Sequence, residues 1–149
     1  MPDPTPLSLT PELVELLTGA LDSGNVVLVA AVSADAKPLL SFRGSVAPFG
    51  DQQLSFWARN AEGGTIEAIR ANPNVSLMYR SATVPLLQFT GRARVTDDPA
   101  ERDRAFDLSH PREQQSDADK KGVAVIVELD AIRGVLIKGD GREFVMMAR

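Results

Sequence analysis

The 149-residue chain contains no cysteine. Disulfides, cysteine-ligated zinc and thiol nucleophiles are therefore excluded. It carries one histidine, His110, and one tryptophan, Trp57. A single imidazole is too few for a His-rich metal site. Acidic residues outnumber basic ones, 20 against 16, for a net charge of −4. That balance opposes non-specific binding to nucleic acid, whose phosphates demand an excess of Lys and Arg. No Lys/Arg run is available to recruit an anionic membrane, and no apolar run reaches the length that spans a bilayer. The opening MPDPTPLSLTPEL lacks the basic start and apolar run of a secretory signal. The expectation is a cytoplasmic protein with no nucleic-acid or membrane partner. A P-loop, a dinucleotide G-x-G-x-x-G and a recognisable Ser-His-Asp set are all missing. Any catalysis would then take its hard chemistry from a cofactor.

Hydrophobic residues make up 44% of the chain, enough for the core of one domain over residues 1–149. Three prolines in the first eight residues predict an extended arm, residues 1–9. Thr10-Pro11-Glu12 starts a helix to about Asp22. Strands are expected over Asn25–Ser33, Leu39–Pro48, Gln53–Ala58, Val75–Arg80 and Leu86–Thr96. Further strands follow over Gly122–Asp130, Ala131–Lys138 and Arg142–Met147, the last after a Gly139-Asp140-Gly141 turn. Short helices are expected from Ile66 to Asn72 and from Pro99 to about Leu108, while the polar stretch 109–121 reads as a loose helix or loop. Links between strands are mostly too short for parallel crossovers. The fold class is mainly β (α+β): an antiparallel barrel or sandwich with a few short peripheral helices.

One stretch carries chemistry. Gln53–Ala58 runs through Arg59 into Gly63-Gly64-Thr65 and a helix. A strand–turn–helix of this kind presents backbone N–H groups and a positive helix end to an anion. Glycines permit close approach, and Thr65 adds a hydroxyl. Arg43, Arg59 and Arg70 lie near enough in the chain to contribute charge, whereas Glu62 opposes it.

Three segments, Ser41–Val46, Leu54–Arg59 with the following turn and helix to Leu77, and Leu87–Val95, occur here in order. In that order they resemble the FMN-binding split-barrel superfamily of pyridoxamine 5'-phosphate oxidase-like proteins. The resemblance implies a six- to eight-stranded split barrel acting as a homodimer, with FMN between subunits and a small-molecule substrate over the ring. It places Arg43, Gly44 and Ser45 at the phosphate or ribityl chain, with Gly63, Gly64 and Thr65 at the phosphate turn. Trp57, Ala58 and Arg59 would line the flavin, and Gln88 would face the ring. The Ser-Arg-Lys phosphate turn of the true oxidases is replaced here by Gly63, Gly64 and Thr65, so vitamin B6 oxidation is not the expected activity. The alternatives left open are the deazaflavin F420 as cofactor, a flavin- or haem-binding carrier or sensor, and a cofactor-free dimeric module. The roles of catalytic residues, including His110, stay open.

Overall fold

The computed structural model describes residues 3–149, so the first two residues of the expected arm lie outside the described residues. Thr10 caps the first helix, α1 (Pro11–Thr18), by accepting from Leu13 N–H, and Pro11 fills the first helical position. Leu13 and Leu17, one turn apart, bury the same face. Strand β2 (Val27–Val32) alternates buried and half-buried residues and pairs antiparallel with β3 (Pro38–Arg43).

The expected strand Leu39–Pro48 is broken at Gly44-Ser45, where the chain leaves β3 and re-enters a sheet as β4 (Ala47–Gly50). β4 pairs with β5 (Gln53–Ala58), not with β2. After β5 come helix α2 (Gly64–Ala71) and the long antiparallel neighbours β6 (Asn74–Arg80) and β7 (Leu86–Thr96).

The expected strands Gly122–Asp130 and Ala131–Lys138 are one strand, β8 (Val123–Lys138). The ladder to β7 skips Asp130, a bulge that bends β8 without ending it. On its other edge β8 pairs with β5 through its first half and with β9 (Gly141–Ala148) through its second. A single strand thus serves two sheet branches, and the sheet does not close. The nine strands among the described residues exceed the six to eight expected: β3 and β4 separate and the arm adds β1 (Thr5–Pro6), which runs parallel to β9, while two expected strands merge into β8. All other pairings are antiparallel. The principal core gathers α1, β2, α2 and β5–β9 around Phe56, Phe89, Leu54 and Ile132. A smaller core holds Phe49, Trp57, Ala105, Phe106, Ala124 and Ile126.

Helix α3 (Pro99–Leu108) supplies Ala105 and Phe106 to that smaller core, and α4 (Pro111–Ser116) follows it with no buried residue of its own. Asp98 caps α3 by accepting from Glu101 N–H. Glu101 does not reach back to the cap as in a capping box; its two oxygens take Arg94 at 2.8 and 2.6 Å and its Oε1 accepts from the Thr96 hydroxyl at 2.7 Å. The hydrogen bond from Arg94, then that from Thr96, lowers the Glu101 pKa from 4.5 to about 2. A depressed carboxyl pKa stabilises the fold above the unfolded value and loses that effect as pH falls through the folded value. Glu101→Gln should therefore cost about 1 kcal/mol at neutral pH, the scale of a solvent-screened pair. The gap to wild type should narrow below about pH 4.5 and vanish only as the pH falls below about 2. Urea unfolding of both proteins across that range checks it.

Candidate functional site

The break between β3 and β4 makes a seam. β4 pairs Ala47 with Ser55, the chain before it brings Ser45 beside Trp57, and Arg43 lies near enough to Arg59 to feel its charge. Ser45 completes the ladder with its side chain. Its Oγ accepts from Trp57 N–H at 2.9 Å and donates to Trp57 C=O at 3.0 Å, and the residue is 2% exposed. The expected ribityl or phosphate contact for Ser45 competes with this structural use.

Arg43 sits at the last position of β3 on the inward face, half-buried. Its guanidinium lies 5.6 Å from the ring centroid of buried Phe56, and Nε donates to Ser41 Oγ at 3.2 Å. Among the described residues no carboxylate lies within ion-pair distance of it. Burial lowers its pKa first and the neighbouring Arg59 second, while Glu113 acts in the opposite sense. The charged form is thus held with too little compensation, which is the condition an incoming anion relieves.

Arg59 follows β5 and is exposed. Beside it, a Cβ on Gly122 would come within 2.8 Å of Trp57 Nε1 and 2.9 Å of Arg59 Cα. Only glycine lets β8 begin this close to the end of β5. The loop then turns on Asn60, whose Oδ1 accepts from Glu62 N–H at 3.1 Å, leaving the Glu62 carboxylate exposed. Gly63 is the N-cap of α2 and supplies no side-chain acceptor. Thr65 lies inside the first turn, so it is not the cap. The first N–H groups of α2 stay open to a ligand, and a Cβ on Gly64 would meet nothing within 4 Å.

Gly44 lies at the seam beneath the Glu113 side chain of α4, which occupies the space a Cβ would take. It also lines a cavity of about 560 Å³ between α1 and α4, with Leu17, Asp22, His110 and Gln114. His110 lies between α3 and α4 and is half-buried. Its Nε2 lies 2.7 Å from Asp22 Oδ1 and its Nδ1 accepts from Arg112 N–H, so it caps α4 and ties it to the turn after α1. Both ring nitrogens are occupied in this way.

Trp57 and Ala58 close β5, with side chains on opposite faces. Trp57 is 3% exposed and belongs to the smaller core. Its ring meets Phe106 edge-on at 5.0 Å, Arg102 covers it at 4.7 Å, and Nε1 donates to Asp117 at 2.8 Å. Ala58 faces the principal core, so its backbone is what it can offer at the seam.

Gln88 is apart from this group. It lies on the outer face of the sheet, where its Nε2 donates to Ser76 Oγ and its Oε1 accepts from Arg133 Nε, each at 3.1 Å. Gln88 and Arg133, with Met78, Leu86, Phe144 and Met146, line a cavity of about 270 Å³. The face extends to Phe42 through the paired residues Leu28 and Met78. It leaves Phe42 71%, Leu40 69% and Phe144 65% exposed. The structure therefore brings Arg43, Gly44, Ser45, Trp57, Ala58 and Arg59 to one seam, leads from it into Gly63, Gly64 and Thr65, and sets Gln88 elsewhere.

With that geometry in view, a sequence profile of the Pyridoxamine 5'-phosphate oxidase family matches residues 9–136. The chain belongs to this family. No curated protein matches it in sequence. Among solved structures, HupZ of Group A Streptococcus superposes with a TM-score of 0.64 at 18% identity, covering 83% of this chain and 90% of HupZ. An FMN-binding protein of Syntrophomonas wolfei gives 0.60 at 11% identity, covering 81% and 84%. An FAD-binding protein of Mesorhizobium loti gives 0.57 at 17% identity, covering 84% and 93%. At these identities the likeness is one of fold, and the fold of this family member is the split barrel. No helix among the described residues is long and apolar enough to cross a membrane. Sequence reasoning missed Glu113 and Arg133 as neighbours of the candidate residues. Nothing local in the chain links Glu113 to Gly44 or Arg133 to Gln88; both pairs exist only through the fold.

Proposed function

We propose that the whole chain is one flavin-binding domain that holds the phosphate tail of its cofactor at the seam, with FMN as the first ligand to test and F420 as the alternative. The observation that carries this reading is Arg43: a half-buried guanidinium with no ion-pair partner among the described residues and a second arginine, Arg59, near enough to repel it. Family membership and the FMN- and FAD-binding relatives support it. Arg43 and Arg59 would supply charge, Gly63-Gly64-Thr65 backbone N–H groups, and Gly44 and Ala58 a close backbone wall. Ser45 and Trp57 would act by fixing the seam. Once bound, a flavin supplies hydride or electron transfer, here toward a small organic substrate. The purified protein should quench FMN fluorescence on titration with saturation near one flavin per chain; absence of saturation with both FMN and F420 rejects the reading.

The same reading makes the protein a homodimer. Gln88 can reach a cofactor only from the outer face, which requires the seam of a second copy. The exposed Leu40, Phe42 and Phe144 on that face are what such a copy would cover. Wild type should sediment as a dimer. Phe42→Glu combined with Phe144→Glu should sediment as a monomer and lose flavin affinity together with the dimer. A wild-type monomer that binds flavin would overturn the shared-site arrangement.

A further inference from the structure

We infer that Glu113 sets the charge of the phosphate accepted at the seam, favouring a singly charged phosphodiester tail over a doubly charged phosphomonoester. The inference rests on the flavin-binding reading above. Glu113 stands in the first turn of α4, whose start is fastened by the His110–Asp22 contact. Its carboxylate packs against Gly44, the residue after Arg43, in space that any side chain at that position would claim. Gly44 therefore has a second use besides close approach: it admits an acid to a site that otherwise holds two arginines.

The charge count follows from these neighbours. Arg43 and Arg59 contribute two positive charges and Glu113 removes one. Gly63 and Gly64 add no side-chain charge, and Glu62, exposed on the same loop, adds a further negative charge that solvent screens. A phosphomonoester carries about −1.5 to −2 charges at neutral pH, with a second pKa near 6. A phosphodiester carries one charge at every pH above the acid range. The second charge of a monoester would thus face Glu113 with only the partial positive charge of the α2 N–H groups left to answer it, inside a partly desolvated site where repulsion is weakly screened.

The test uses a matched pair of ligands: FMN and its monomethyl phosphate ester, which differ by one charge, with riboflavin as the phosphate-free control. At pH 8 wild type should bind the ester several-fold more tightly than FMN. Glu113→Gln should raise FMN affinity by roughly tenfold and that of the ester by much less. Lowering the pH through about 6 should tighten FMN on wild type as it becomes a monoanion, while the ester stays unchanged. The charged groups at or beside the seam are Arg43, Arg59, Glu62, Glu113 and the His110–Asp22 pair, and the ester and riboflavin measured over the same pH range report what these contribute. F420, whose ring is joined to its tail by a single phosphodiester, then tests a natural source: it should saturate wild type at a lower concentration than FMN. FMN binding wild type more tightly than its ester, or Glu113→Gln raising both affinities by the same factor, overturns the inference while leaving flavin binding intact. Failure of every flavin, riboflavin included, to bind would instead remove the underlying reading.

Discussion

Replacing Arg43 should weaken FMN binding by about 1.5–3 kcal/mol, roughly 10- to 150-fold in Kd, while leaving the unliganded protein as stable as wild type or more so. The two halves of this expectation come from one fact. In the free protein the Arg43 charge is partly withdrawn from water, repelled by Arg59 and held by a single hydrogen bond to Ser41. Removing such a charge relieves a cost. In the complex the same charge meets a phosphate oxygen in a site already partly dry, where a charge-assisted bond is at its strongest. A residue that destabilises the free fold and strengthens the complex is placed for binding and not for folding.

The choice of variant decides whether the two halves can be read apart. Arg43→Ala also deletes the stem that packs on Phe56, so it loses apolar contact as well as charge. Arg43→Met keeps a flexible apolar chain over the ring and removes only the cation. Fluorescence titration of Arg43→Met with FMN, paired with urea unfolding of the apo-protein, separates the effects. Arg59→Ala should weaken FMN by a similar factor with little change in stability, because Arg59 is exposed. Unchanged FMN affinity in both variants would take the arginines out of the site.

Arg43 was legible in the sequence because its setting is local: a charged residue in a short apolar strand, followed by glycine. The alternation of Gln88, Thr90, Arg92 and Arg94 against Leu87, Phe89 and Ala93 was legible for the same reason and reappears as the two faces of β7. What the sequence hid is the long-range part. Asp130 looked like a strand end, the last residue of the expected Gly122–Asp130 strand. Here it is the bulge that lets one strand serve β5 and β9 in turn. Ser45 looked like a ligand for phosphate, but the fold brings it beside Trp57, whose N–H and C=O it satisfies. The acid that faces Arg43 comes from 70 residues further along, on a helix too short to show a period. Periodicity reports which face a residue occupies; it does not report which other element arrives there.

Trp57 carries the other large expected effect, and it is an effect on folding. Trp57→Ala should cost about 3–5 kcal/mol, the range for deleting a large buried aromatic side chain. Three losses add. The cavity opens among Phe49, Phe106 and Ile126 in a core of only six residues, which has little material with which to collapse. Arg102 loses the ring it covers. Asp117 loses its indole donor. Burial acts to raise the Asp117 pKa, but the bonds from Trp57 and from the Gly122 and Lys121 N–H groups outweigh it and hold the carboxyl below its usual value. Asp117 thereby joins α4 to the start of β8, so the variant should loosen α4 and the Glu113 it carries. Trp57→Phe keeps the ring and loses the N–H, and should cost about 1–2 kcal/mol. Because Trp57 is the only tryptophan, unfolding must be followed by far-UV circular dichroism and not by intrinsic fluorescence. Folded Trp57→Phe should bind FMN nearly as wild type does. A tenfold loss of affinity with unchanged stability would show instead that the indole touches the cofactor, and would return Trp57 to the wall of the site.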